Sequence, residues 1–275
     1  MINIKHKILS ILIYQLLIMI FLGCSDYQKL LNSDDVSSKY RSAENYYNQG
    51  EYLKANRLLD QIAPKYRGKP QAERVVFFLA DSYYQTKSYG LSAYEFERFV
   101  KSYPKSERIQ QALFFEAKSY YKLSPEYSLD QDDTKIALSK LQIFINKYPK
   151  SEYNQEANIL VVELQTKLEK KDFEVSKQYY TIRDYKAAIK SLDNFISEYP
   201  GTSFREAAMY FEFLSYYEIA TNSVLNKQKE RLEELQVKYS KIFRYYPETI
   251  YSENLKTKNN NITNLLESFQ ITLTK

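Results

Sequence analysis

Apolar and aromatic positions return along this chain in helical spacing, and they return in copies. The octet F-F-L-A-D-S-Y-Y at Phe77 to Tyr84 reappears as F-F-E-A-K-S-Y-Y at Phe114 to Tyr121 and as Y-F-E-F-L-S-Y-Y at Tyr210 to Tyr217. Looser versions stand at Tyr40 to Tyr47 and Phe173 to Tyr180. The first tyrosines of the five pairs fall at 46, 83, 120, 179 and 216, so the intervals are 37, 37, 59 and 37 residues. Behind the second octet, Ser92, Phe96 and Phe99 lie at i, i+4 and i+7 and share one helical face.

Two helices per period near ~34 residues, with no strand pattern, predict stacked helical hairpins of the tetratricopeptide type. The expected fold class is all-α: a tetratricopeptide-repeat (TPR) solenoid of about five helical hairpins plus a C-terminal capping helix. The boundaries follow from punctuation. Gly50 marks the first tight turn, and Pro104, Pro149, Pro200 and Pro247 each stop a second helix, because proline disfavours helix in the residue before it. The first hairpin departs from this, with Arg67 where proline would fall. The Ser or Thr after each proline is expected to cap the next helix, and Ser203 with Glu206 has capping-box spacing.

The hairpins are placed at about 40–67, 73–104, 109–149, 153–200 and 204–247, with a capping helix at 262–273 after the polar run Lys256 to Asn261. The 59-residue interval holds two insertions. One is a loop, Ser124 to Asp133. The other adds 14 residues without Gly or Pro, close to four turns at ~3.6 residues per turn, and predicts a long helix from about Tyr153 to Ile182.

The N-terminus reads differently. Lys5, His6 and Lys7 precede an apolar run of 15 residues, Ile8 to Leu22, shorter than the ~20 needed to span a bilayer. Residues 1–23 therefore read as a secretory signal. The run ends at F-L-G-C, which resembles a bacterial lipoprotein box with Phe21 in the usual leucine position, and Cys24 is the only cysteine. Residues 24–39 then form a lipidated polar tether, and acyl chains on Cys24 attach the protein to a membrane. The absence of Asp directly after Cys24 favours the outer membrane, by resemblance to known sorting patterns.

Composition narrows function further. Removing the leader takes away His6, the only histidine, and lipidation consumes the only thiol, so Cys–His, Ser–His and histidine-metal sites are excluded. Net charge is +5, falling to +3 without Lys5 and Lys7, and basic residues are interleaved with acidic ones, so no nucleic-acid partner is expected. Asp130, Asp132 and Asp133 lack the glycine and distal glutamate of a calcium loop and read as a solvated loop. No catalytic residue, metal or cofactor is assigned. What remains is the surface that helical hairpins create, suited to an extended peptide or a partner helix, with Tyr47, Tyr84 and Tyr121 as candidate groove residues. The opposing reading, that these rings pack between adjacent hairpins, stays open.

The stretches C-S-D-Y-Q-K-L-L at Cys24 to Leu31, L-S-P-E-Y-S-L-D-Q at Leu123 to Gln131 and K-L-E-K-K-D-F-E-V-S-K-Q-Y-Y at Lys167 to Tyr180, with the Y-P closings, resemble the BamD family of outer-membrane β-barrel assembly lipoproteins. The resemblance covers essentially the whole mature chain. It implies a non-enzymatic scaffold on the periplasmic face of the outer membrane. Its C-terminal hairpins would dock on the periplasmic domains of the barrel-forming subunit, and its N-terminal hairpins would receive unfolded outer-membrane proteins. It also implies a partner-binding role for Arg205, in Y-P-G-T-S-F-R-E-A, which matches the family's arginine after a one-residue gap. Two other readings share features with it. A TPR lipoprotein coordinating envelope constriction or peptidoglycan synthesis should carry an N-terminal coiled coil, and a glycan-binding lipoprotein usually presents Trp, which is absent here.

Overall fold

The computed structural model describes residues 24–273, with side chains from 26 to 269. The expected leader and the side chain of Cys24 lie outside the described residues. The fold is all-α, with twelve helices and no strand among the described residues. These are α1 (Cys24–Asn32), α2 (Val36–Asn48), α3 (Tyr52–Tyr66), α4 (Ala72–Gln85), α5 (Tyr89–Ser102), α6 (Ile109–Leu123), α7 (Asp132–Lys147), α8 (Asn154–Thr181), α9 (Tyr185–Glu198), α10 (Arg205–Thr221), α11 (Leu225–Tyr245) and α12 (Ser252–Leu273). They fall into two compact units, one running to Pro125 with Asp132–Val161 and the other comprising Glu126–Gln131 with Val162 onward.

The tyrosine pairs end the first helix of a hairpin through their backbone. In the first hairpin Glu51 N–H donates to Tyr46 C=O at 2.9 Å and Gly50 N–H to Tyr47 C=O at 3.0 Å. Ser88 and Lys87 do the same to Tyr83 and Tyr84, as do Asp184 and Arg183 to Tyr179 and Tyr180. This is a Schellman closure, whose penultimate position needs the left-handed region. Gly50 meets that need at φ 76°, but Lys87 and Arg183 occupy the same place at φ 62° and 65°.

The proline closings act as the sequence predicts, with Tyr103, Tyr199 and Tyr246 extended at φ −129°, −119° and −133° before their prolines. The hydroxyl after each closing accepts the backbone N–H two residues on: Ser106 from Arg108, Thr202 from Phe204 and Thr249 from Tyr251. The expected Ser203–Glu206 capping box does not form. Thr202 is the residue that makes the turn, α10 begins after Phe204, and Glu206 Oε1 instead accepts Ile250 N–H at 3.2 Å.

Each unit has its own core. In the first, Leu58, Leu59 and Ile62 of α3, Val75 to Ala80 of α4, and Phe96 and Phe99 of α5 form one buried cluster. Phe77 meets Phe96 and Phe99 edge-on at 5.8 and 5.4 Å, closing that hairpin. Burying each such ring contributes ~1.5–3 kcal/mol. In the second unit Phe173, Leu192 and Phe195 pack with Ala208, and Phe213, Leu232, Leu235 and Ile242 pack with Leu255 and Ile262 of α12.

Three segments differ from the sequence expectation. The supposed tether contains α1, because Tyr27, Leu30 and Leu31 put one apolar face on the first core. The terminal helix starts at Ser252 rather than Ile262, since Leu255 and Ile262 lie seven residues apart on one buried face and carry the polar run between them. The fifth hairpin has longer helices than the second: α10 and α11 have 17 and 21 residues against 14 each in α4 and α5. The long α8 runs 28 residues, from Asn154 to Thr181. The inserted loop is Ser124 to Gln131, shorter than expected because α7 begins at Asp132; Gln131 Nε2 folds it on itself by donating to the carbonyls of Glu126 and Leu129 at 2.8 and 3.0 Å, and Lys171 of α8 donates to the Leu129 carbonyl.

Candidate functional site

In three of the five pairs the second tyrosine reaches into the next hairpin. Tyr47 stacks on Phe78 with centroids 4.0 Å apart and planes 10° from parallel, and Tyr84 meets Phe115 edge-on at 4.9 Å. In the other unit Tyr180 meets Phe211 at 5.4 Å. The partner lies 31 positions ahead each time. Tyr47 and Tyr84 are thus half-buried seam residues, with one edge each left to solvent. Burial is the main reason both phenols are pushed above their ordinary pKa, with the Asp81 carboxylate second for Tyr47 and Tyr89 second for Tyr84. Tyr121 follows a different course. Its ring meets Lys122 Nζ at 5.4 Å; the position 31 ahead is Glu152, and the adjacent Tyr153 stacks on Phe114 at 4.8 Å.

Beside these rings stands a row of cations that the sequence reading did not single out. The Arg74 guanidinium lies 5.2 Å from the Phe78 ring and pairs with Glu44 at 2.5 Å. Arg108 lies 4.7 Å from Phe77 and 5.3 Å from Phe78. Lys118 sits 5.3 to 5.9 Å from Phe114, Phe115 and Tyr84 and pairs with Glu156 at 2.7 Å. Two sequence signals pointed to this row: Arg74 precedes Phe78 by one helical turn, and Lys118 is the fifth residue of its octet. Chemically, ring faces edged by guanidinium and ammonium groups suit an extended chain that brings aromatic and carboxylate side chains.

Arg205 opens α10 in the second unit. Its Nη1 donates to Pro200 C=O at 2.7 Å, and its guanidinium lies 5.4 Å from the Tyr245 ring. The Nε is buried and has no partner among the described residues. A donor in that state leaves hydrogen-bonding capacity unused. Tyr245 is 53% exposed and borders a cleft of about 380 Å³ that also takes in Glu206, Pro247 and Glu248. Arg205 is therefore half-buried rather than a free surface arginine, and it reaches the cleft only through the Tyr245 ring. A second recess, about 350 Å³, lies between Tyr127 of the inserted loop and Val175 and Gln178 of α8.

Cys24 is the first residue of α1. No described helix is long and apolar enough to cross a membrane, and no group of three or more acidic, His or Cys residues suited to a metal ion occurs among the described residues.

The family model described as YfiO, outer membrane lipoprotein, matches residues 32–190 and 177–275. No curated protein matches. A solved structure of a putative kinesin light chain with nearly identical TPR-like repeats, from Podosopora anserina, is 14% identical over 75% of this chain and 95% of its own, with a TM-score of 0.33.

Proposed function

Because the chain belongs to the YfiO family of outer membrane lipoproteins, we propose that it is a non-enzymatic scaffold of the outer-membrane β-barrel assembly machinery. Acyl chains on Cys24 hold it on the periplasmic face of the outer membrane. The observation that carries the reading is the family match across 32–275, which takes in every repeated hairpin. In this reading the ring-and-cation face of the first unit, with Tyr47, Tyr84 and Tyr121, receives unfolded outer-membrane proteins. The Arg205–Tyr245 corner of the second unit receives the periplasmic domains of the barrel subunit. The unused Arg205 Nε and the open cleft beside Tyr245 support that choice. A carboxylate is the partner group that a half-desolvated guanidinium binds best.

The test is a binding assay between residues 25–275 and the periplasmic domains of the same cell's barrel subunit. Saturable binding that Arg205→Glu weakens at least tenfold, with an unchanged circular-dichroism melt, supports the reading. Binding that ignores the substitution removes Arg205 from the interface. No binding at high micromolar concentration turns belief to envelope constriction or peptidoglycan synthesis.

A further inference from the structure

The anchor of a lipoprotein is commonly pictured as a leash, but in this chain it is built into the first hairpin. Tyr27 of α1 donates its hydroxyl to the carbonyl of Lys54, the third residue of α3, at 3.1 Å. Its ring meets Tyr46, near the end of α2, edge-on at 5.6 Å. At the other end of α1, the Leu31 carbonyl accepts from Lys39 Nζ at 2.9 Å, and Lys39, in the first turn of α2, also reaches Gln61 well along α3. Leu30 and Leu31 pack on the same core. These contacts fix the direction of α1: it runs alongside α3 in the same sense and opposite to α2.

Cys24 lies three residues before Tyr27, ~4.5 Å along a helix. Its backbone therefore stands level with the α2–α3 turn, at Gln49 to Glu51. The α4–α5 turn is at the same end, since Gln85 and Thr86 line one cleft of about 380 Å³ with Gly50, Tyr52 and Leu53. Two leucines at this end face solvent, Leu53 at 59% and Leu91 at 52% exposure. Lys87 is exposed beside them, and Lys54, exposed as well, pairs with Glu51 and lies 5.1 Å from the Tyr46 ring.

We propose that this turn end of the first unit is a membrane seat: α1 presses it onto the lipid surface, with Leu53 and Leu91 entering the headgroup region and Lys87 meeting phosphates. The proposal rests on acylation of Cys24. Placing lipid chains beside exposed leucines adds apolar area to be covered at the same site, and a nearby lysine favours anionic headgroups. The consequence is orientation: the α2–α3 and α4–α5 turns face the bilayer, and the far ends of α3 and α5 point away.

The test uses the full lipidated chain in phosphatidylethanolamine–phosphatidylglycerol vesicles. A nitroxide is attached at Leu53→Cys, Leu91→Cys or, as the control at the far end of α3, Lys65→Cys. Collision with oxygen is compared with collision with a polar nickel complex, and vesicle flotation is read on the same samples. A several-fold shift toward oxygen at 53 and 91, relative to 65, is expected. Equal accessibility at all three positions on a floating chain overturns the seat and leaves acylation standing. A chain that does not float overturns acylation, and the seat with it.

Discussion

The Tyr47 hydroxyl donates to Asp81 Oδ2 across 2.6 Å, joining the end of α2 to the middle of α4 in the following hairpin. Asp81 is only 6% exposed, and its other oxygen accepts Gln85 Nε2 at 3.2 Å. Removing the phenol oxygen leaves a buried carboxylate one donor short. Tyr47→Phe, which keeps the stack on Phe78, is expected to cost about 1.5–3 kcal/mol in urea denaturation, the range for a hydrogen bond to a charged group. A change of a few tenths would mean that the seam is held by the rings alone.

A second buried carboxylate sits inside the third hairpin. Glu116 is 1% exposed and accepts Lys140 Nζ at 2.5 Å. Burial pushes its carboxyl above the usual range despite the lysine, while Lys140 is raised because Glu116 more than offsets the effect of burial on the ammonium. Lys140→Met should destabilise the fold by about 3 kcal/mol, since it strands that charge. Adding Glu116→Gln should recover most of the loss. The corresponding Glu212–Lys238 pair, at 2.9 Å, has a Glu212 side chain 15% exposed, so Lys238→Met should do less harm. Equal losses from the two lysine substitutions would contradict the burial argument.

Left-handed residues give a prediction of opposite sign. An L residue in that region is strained by about 1–2 kcal/mol relative to glycine, partly offset by the added freedom glycine brings to the unfolded chain. Lys87→Gly and Arg183→Gly should each raise stability by about 0.5–1 kcal/mol, read as a higher melting temperature. Gly50→Ala should lower it. A melting temperature that falls for both glycine variants would show that Lys87 and Arg183 make contacts worth more than the strain.

Alkaline pH should loosen the first unit. Burial, followed by the Asp60 carboxylate that accepts its hydroxyl at 3.2 Å, pushes Tyr83 from 10.0 up to about 12. The folded state thus holds this proton more tightly than the unfolded chain. The stability so gained is complete below pH 10.0 and is lost as pH climbs toward about 12. Tyr47 and Tyr84 of the same unit are raised as well, chiefly by burial, and add to the same trend. The urea midpoint should fall once pH passes 10.0, and less steeply in Tyr83→Phe. An unchanged midpoint across that window would sink the idea.

Much of this was legible because the repeat writes the same chemistry several times. Phe77, Phe96 and Phe99 declare their helical face by spacing, and tyrosine before proline declares a stop. The left-handed Lys87 was not legible, because its conformation is set by two backbone bonds to the tyrosine carbonyls and not by its own side chain. Ser203 was misread for a related reason: Thr202 next to it offers the same hydroxyl one residue earlier, and the turn uses that one. The α1 signal was present in the spacing of Tyr27, Leu30 and Leu31, but a nine-residue polar stretch gives periodicity little room to show. Arg205 was singled out by resemblance alone, and its role stays a proposal. Its stack on Tyr245 joins residues 40 positions apart, which no local pattern records.

The step of 31 positions between tyrosine and phenylalanine makes each hairpin a module with two matching edges, one ring offered and one ring received. A hairpin copied or deleted whole would leave the neighbouring edges compatible, which is how an array of this kind can change length by duplication. Two copies break the rule: Tyr121, whose step lands on Glu152, and the last. From Tyr217 the step lands on Glu248, and the ring is met instead by Lys258 Nζ at 4.0 Å and by Asn261, whose side-chain amide donates to its hydroxyl. A glutamate at that step thus marks a seam built without a ring pair, and it occurs inside the array as well as after the fifth tyrosine pair.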